Sequence, residues 1–249
     1  MTPTQLETLL NQWLQPDQFK DYCPNGLQLD AGQPISNLVC GVTANQALID
    51  AAVESGADAL LVHHGWFWKG ESQPLTGLKG QRARSLFNAG ISLLAYHLPL
   101  DAHAEMGNNA GLAQAMGWQR TGPLDRQARI SIGDVGVPAQ PLSGAQLQAQ
   151  LSEVLGQEAL WIDGGRRIEQ LAWCTGAAQS YFQQAIDAGV DAFVTGEISE
   201  PMVHLAREAG VHYFAAGHHA TERFGVMSLG QRLAEHGLKT QFIDVPSPV

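Results

Sequence analysis

Nine histidines occur in the 249 residues, and five of them fall in three short stretches. His63 and His64 close the apolar run Ala59 to Val62 and are followed by Gly65. Neighbours in a regular strand point to opposite faces, but where the strand breaks at a glycine two imidazoles can diverge towards two adjacent metal ions. His97 and Asp101 follow the next apolar strand, in AYHLPLD. Pro99 between them argues against a regular helix and puts both on a loop at that strand's end. In AAGHHATERFGV the group is His218, His219 and Glu222. If that segment turns helical, His218 and Glu222 share a face at i, i+4 while His219 points elsewhere. Imidazoles and carboxylates without thiolates suit a dinuclear site for divalent zinc, manganese, iron or nickel rather than calcium. A carboxylate can bridge two such ions roughly 3.5 to 4 Å apart.

Taken singly, these residues have blander uses. Asp101 could cap the helix that follows, and Glu222 could be a solvated first-turn carboxylate. A lone histidine near a strand end is usually a satisfied polar group, which is the reading for His103, His204, His212 and His236. Joint occurrence at three strand ends favours metal. Thr195-Gly196-Glu197 ends a fourth strand, where Glu197 could support the site, bind substrate or belong to an ordinary strand-to-helix turn. Trp66, Phe67 and Trp68, beside the histidine doublet, could stack on a planar base or cover the strand ends. For a triphosphate the local cations are Lys69, Lys79, Arg82 and Arg84, which could equally be a solvated helix face; no glycine-rich Walker or dinucleotide pattern is present.

The elements that must carry these groups alternate in type. Thr4 and Glu7 stand at capping-box spacing before Leu6, Leu9, Leu10, Trp13 and Leu14, which predicts a helix over 4–14. Pro24-Asn25-Gly26 marks a turn. Leu38 to Val42 reads as a buried strand, Asn45 to Ser55 as helix, Ala59 to Val62 as strand, Ala83 to Asn88 as helix and Ile91 to Ala95 as strand. The pattern is α/β with parallel strands.

The second half repeats the first. Ala52-Val53-Glu54-Ser55-Gly56-Ala57-Asp58-Ala59 aligns without gaps on Ala185-Ile186-Asp187-Ala188-Gly189-Val190-Asp191-Ala192, and at the same offset His63-His64 falls on Gly196-Glu197. Duplication is preferred to two independent units meeting the same demands. Two similar α/β lobes are expected, over 1–125 and 126–249, with the C-terminal segment able to pack back on the first. Each lobe places polar groups at the carboxyl ends of its strands, where open α/β sheets bind ligands. Residues 121–170 read as turns, short strands and an amphipathic helix from Gly144 to Gly156, the connection between the halves.

Composition narrows the class. With 14 Lys+Arg against 24 Asp+Glu, a net charge of −10 and a pI near 5.2, the chain is electrostatically unsuited to nucleic acid. Cys23, Cys40 and Cys174 show no close pairing, which argues against a disulfide framework or thiolate zinc site and fits a reducing cytoplasm. The N-terminal MTPTQLETLLNQWLQP has no basic start, and no run reaches the roughly 18 apolar residues of a membrane span, so a soluble, unprocessed protein is expected.

VHHG, AYHxxLDxxxxGNN, TGE and GHHATE, in this order and at these distances, resemble the GTP cyclohydrolase 1 type 2 family, also called the NIF-three-like family, in its short bacterial form. The resemblance implies two similar α/β lobes with a dinuclear metal site in the cleft between them, and a toroidal homohexamer built as a trimer of dimers. Carried over by position, it implies His63, His64, Asp101, His218 and Glu222 as ligands of two divalent ions per chain. His97 matches a family histidine beside the site, and Asn25, Asn108 and Glu197 match polar positions near it. Leu98-Pro99 stands where many members have Thr-Asn, and the short 121–170 stretch leaves no room for the domain that longer members insert. The family name implies opening of the guanine ring of GTP with release of formate. An enzyme with a small-molecule substrate is expected, a metal-dependent hydrolase with His97 as proton shuttle. The alternatives are a hydrolase or oxidase of another small substrate, or a metal-binding regulatory scaffold without activity.

Overall fold

The chain forms two mixed β-sheets, of five and six strands, each packed with helices. The structure is a computed structural model that describes residues 1–249. The chain divides into two compact units, Met1–Leu100 with Gly225–Pro246, and Asp101–Phe224 with Ser247–Val249. Expectation set the divide at 125/126. It falls earlier because the strand at Gln119–Pro123 pairs within the second sheet, and the segment from Gly225 on supplies a strand to the first.

In the first unit the chain runs α1 (Pro3–Leu14), β1 (Gly26–Leu29), β2 (Asn37–Thr43), α2 (Gln46–Glu54), β3 (Ala59–His64), α3 (Gly77–Ala89) and β4 (Ser92–Ala95). A short α4 (Leu98–Ala102) crosses the divide; the unit is completed by most of α10 (Arg223–Glu235) and by β11 (Lys239–Phe242). The strand order is β1-β4-β3-β2-β11, parallel except for β1. Val39, Leu60, Val62 and Leu93 face Leu48, Ile49 and Leu86 of α2 and α3. Their neighbours Leu38, Cys40, Leu61 and Leu94 are buried on the opposite face, as period-two alternation requires of a sheet covered on both sides. The helix cap differs from expectation. Thr2, not Thr4, caps α1: its hydroxyl accepts from Gln5 N while the Gln5 side chain accepts from Thr2 N. Pro3, whose missing N–H costs nothing at the first helical position, starts the helix one residue earlier than expected.

The second unit runs α5 (Asn108–Met116), β5 (Gln119–Pro123), β6 (Asp134–Val137), α6 (Gly144–Leu155), β7 (Leu160–Ile162), β8 (Leu171–Cys174), α7 (Phe182–Asp187), β9 (Ala192–Thr195), α8 (Glu200–Ala209), β10 (His212–Ala215) and α9 (His218–Thr221). The strand order is β5-β6-β8-β9-β10-β7. Residues 121–170 therefore belong to the second unit, supplying β6, β7 and the end of β5 to its sheet, and are not a connection between sheets. Strands β8, β9 and β10 are parallel, with antiparallel β7 outside β10, just as β2, β3 and β4 are parallel with antiparallel β1 outside β4. The repeated sequence thus builds a repeated motif. Leu171, Trp173, Val194 and Phe214 pack on one face with Leu147, Leu151 and Leu155 of α6; Ala172, Phe193 and Tyr213 pack on the other with Phe182 and Ala185 of α7.

The histidines read as ordinary polar groups have ordinary partners. His103 Nδ1 accepts from Glu105 N and Met106 N, His204 pairs with Glu200 one turn away, and His236 packs against the Trp13 ring. His212 is buried: its Nδ1 accepts from Trp161 Nε1 (3.0 Å) and Gly164 N (2.9 Å), and its Nε2–H donates to Arg166 O (2.7 Å). His212→Leu strips two donors of their acceptor and should cost about 2–4 kcal/mol in urea unfolding. Wild-type stability in that variant would show that the network contributes nothing.

Candidate metal centre

The carboxyl ends of β3 and β4 bring three histidines of the first unit together. His63, His64 and His97 each place a ring nitrogen within 4.8 Å of the others, with ring centroids 4.6 to 5.7 Å apart. His63 is fully buried, and its Nδ1–H donates to the Tyr96 carbonyl at 2.9 Å. That bond fixes the tautomer in which Nε2 carries the lone pair, the usual arrangement behind a metal-binding imidazole. His64 Nδ1 lies 3.3 Å from Thr43 Oγ1. Gly65 is required for space: a Cβ there would run into the Gln28 amide and Ala95.

The predicted position Asn25 sits behind His97. Its Oδ1 accepts from His97 N (2.7 Å) and its Nδ2 donates to Asp21 Oδ2 (2.9 Å), so the amide is spent on support rather than on a substrate. Asp21 Oδ1 lies 2.6 Å from His97 Nδ1. Burial would raise the Asp21 pKa, but the His97 contact, with help from Asn25 and Tyr22 N, holds it below the ordinary carboxylate value. Cys23, which also reaches towards His97, is a poor ligand: burial, reinforced by Asp21, pushes its thiol up to about 12.

The tryptophans take different places. Trp66 is buried and donates Nε1–H to Ala44 O, covering the strand ends. Trp68 stands edge-on to His97 (centroids 4.9 Å) and 5.7 Å from His64. Between them Phe67 adopts φ +67°, a left-handed conformation that costs an aromatic residue about 1–2 kcal/mol. The strained residue is what turns the flanking tryptophans to core and site. Lys79, expected as a phosphate partner, is held by Glu71 and the Ser72 carbonyl and lies over the Phe67 ring.

In the second unit Asp101 lies on α4, not on a loop, because Pro99 occupies the first turn of that helix, where proline is tolerated. Asp101 is 4% exposed; its Oδ1 accepts from Asn108 Nδ2 (2.8 Å) and Thr175 Oγ1 (3.4 Å). Asn109 ties the same helix down, donating to Asp101 O and accepting from Thr175 N. Along α9 and its C-cap, His218 and Glu222 share a face as expected, Nε2 to Oε2 3.0 Å, while His218 Nδ1 lies 2.7 Å from Glu197 Oε1. Burial alone would lower the His218 pKa, but the two glutamates outweigh it and raise it to about 9. Gly176, at φ +69°, passes so close that a Cβ would collide with the Glu222 carboxyl.

Glu222 is 2% exposed, and it and Asp101 bring carboxylate oxygens within 4.8 Å of each other. Like charges buried at that spacing repel strongly; neutral Asn108 and Thr175 orient Asp101 without cancelling its charge, and a protonated His218 beside Glu222 offsets only one of the two. A divalent cation does cancel it. Two ligands of one ion, each about 2.0–2.2 Å from it, lie roughly 3 Å apart, as His218 Nε2 and Glu222 Oε2 do. The donors of the second unit therefore fit a nitrogen- and oxygen-ligated metal, and the imidazoles of the first unit could ligate through nitrogen. The residues that sequence reasoning missed are Asp21, Thr175, Asn109 and Thr221, the last accepting from Gly176 N. Asp21 stands in DYCPNG beside the turn at Pro24-Asn25-Gly26, Asn109 in the GNN motif and Thr221 in GHHATE; Thr175 carries no local signal.

Residues 1–248 match the Duf34/NIF3 (NGG1p interacting factor 3) family. The chain is 50% identical over 247 residues to a Pseudomonas aeruginosa protein named GTP cyclohydrolase 1 type 2 homolog, covering 98% of each chain. It is also similar to a solved structure described as protein ybgI, of unknown function (45% identity, TM-score 0.96, all of both chains), and to a solved structure from Thermus thermophilus (32% identity, TM-score 0.90, all of both chains). With its full length matched, this chain belongs to the Duf34/NIF3 family.

Proposed function

We propose that His63, His64, Asp101, His218 and Glu222 hold two divalent ions, zinc, iron, manganese or nickel, and that the protein is a metal-dependent hydrolase of the GTP cyclohydrolase 1 type 2 kind. The observation that carries this reading is the buried carboxylate pair Asp101 and Glu222, whose repulsion a bound cation would relieve. The tautomer that Tyr96 imposes on His63 and the carboxylate behind His218 support it, since both are what a ligating imidazole needs. Bound divalent ions lower the pKa of water from about 15.7 towards about 7, which supplies a nucleophile at neutral pH.

The chain's own groups have the following parts. His97 takes up and returns the proton, its Nε2 being the ring nitrogen that Asp21 leaves available. Asn25 holds the His97 backbone, Asn108 orients Asp101, and Glu197 orients His218. Trp68 and the exposed Tyr22 flank His97 edge-on, and would suit a flat ring. In the guanine nucleotide case the electrophile is C8 of the purine, released as formate. The engagement of Lys79 by Glu71 and Phe67 leaves less cation for a triphosphate and favours, as a second reading, hydrolysis of another small substrate. The same family reading expects a ring-shaped homohexamer, a trimer of dimers, working in the cytoplasm. No helix is long and apolar enough to cross a membrane.

Elemental analysis of protein reconstituted with each metal should find two ions per chain, and Asp101→Ala or Glu222→Ala should lose at least one. Two ions retained in either variant would sink the ligand assignment. Incubation of the metal-replete protein with GTP should release formate, and His97→Ala should slow that release roughly 10²–10⁴-fold with metal content unchanged. Loss of metal in that variant would make His97 a ligand instead, and no turnover of GTP or other nucleotides would transfer the site to the second reading.

A further inference from the structure

We infer that Asp21 is a positioning residue for His97: its carboxylate holds the imidazole as the Nδ1–H tautomer and keeps Nε2 as the proton acceptor beside His63 and His64. The inference rests on the hydrolase reading for its consequence in turnover, but the tautomer itself follows from geometry. An ionised carboxylate can only accept, so the 2.6 Å contact between Asp21 Oδ1 and His97 Nδ1 places the proton on Nδ1.

The carboxylate is itself held on every side. Its Oδ1 also accepts from Tyr22 N (2.6 Å), and its Oδ2 accepts from Leu98 N and Asn25 Nδ2, both at 2.9 Å. Asn25 Oδ1 accepts from His97 N, which settles the orientation of that amide because a backbone N–H can only donate. The Asp21 and His97 side chains are 4% and 14% exposed. Asp21 and Asn25 thus grip the imidazole and the two backbone N–H groups on either side of it, from a segment more than 70 residues earlier in the chain. Such a grip is more than stabilisation of a loop needs, since the ring nitrogen is the one group of His97 whose protonation it decides.

Asp21→Asn separates the two roles. Two N–H donors converge on the Oδ2 position, so the amide oxygen belongs there and leaves only Tyr22 N facing an amide nitrogen; the reverse orientation would leave both Leu98 N and Asn25 Nδ2 so placed. The new NH₂ then faces His97 Nδ1 and can only donate, which drives the ring to the Nε2–H form. Solid-state NMR of the full-length protein labelled with ¹⁵N-histidine, with the His97 signals identified by their loss in His97→Gln, reads this directly. Recorded at a pH where the ring is neutral, wild type should show a protonated Nδ1 and a bare Nε2, Asp21→Asn should exchange them, and Asp21→Glu should restore the wild-type pattern. In a formate-release assay Asp21→Asn should lower kcat by about 10²–10⁴-fold, with KM and metal content near wild type. A neutral wild-type His97 protonated on Nε2 alone, or no exchange in a folded Asp21→Asn protein, would overturn the inference. Absence of GTP turnover by the wild type would count against the hydrolase reading alone, because the NMR comparison decides the role of Asp21 without it.

Discussion

Burying Asp101 and Glu222 beside each other is the constraint on which the second unit depends. A carboxylate taken out of water costs several kcal/mol unless its charge is met, and two within 4.8 Å add repulsion to that cost. The surroundings show how the arrangement is enforced. Asn108, Asn109 and Thr175 fix Asp101 and its helix, Thr221 anchors the loop at Gly176, and the absence of a side chain on Gly176 makes room for Glu222. Cys174, fully buried nearby, has its thiol pushed well up by burial and by the charges of Asp101, Glu222 and Asp134, so it stays neutral and adds no third anion. A fold that spends this many polar contacts on two repelling groups keeps them where they could hold a cation.

The histidines obey a related logic of orientation. An imidazole is useful as a ligand or a base only if its two nitrogens are distinguished, and each unit distinguishes them with a hydrogen bond to Nδ1. His63 is set by a backbone carbonyl, His97 by Asp21 and His218 by Glu197. His212 shows the contrasting case: both of its nitrogens are consumed by Trp161, Gly164 and Arg166, and it serves the core.

The two sheets carry out one plan twice with different endings. In both, three parallel strands with an antiparallel neighbour deliver polar groups at their carboxyl ends, the positions that open α/β sheets use for ligands. The strand that ends in His63-His64 in the first sheet corresponds to the one that leads into Gly196-Glu197 in the second. The first copy therefore supplies ligand candidates where the second supplies a carboxylate that orients His218. The strained turn at Phe67 belongs to the first copy alone and sends Trp66 to the core and Trp68 to the histidines.

Much of this was legible in residue order. The continuous apolar runs Leu38–Val42 and Ala59–Val62, glycine and aspartate at matching places in the repeats, and the i, i+4 spacing of His218 and Glu222 are local properties, and local sterics and burial impose the same outcome wherever they occur. Identity of the candidate donors belongs to this class, as does the family, whose motifs are short and contiguous. What the sequence could not decide rests on contacts between distant positions. Asp21 meets His97 across 76 residues, Thr175 meets Asp101 across 74, and β11 pairs with β2 to return the C-terminal segment to the first unit. Proline at position 99 read as a helix breaker because its place within the turn was invisible, and the same residue in the first turn of α4 is harmless. Local spacing fixes which side chains are available; only folding the chain back on itself fixes which hydrogen bond each nitrogen makes, and therefore which atom is left for chemistry.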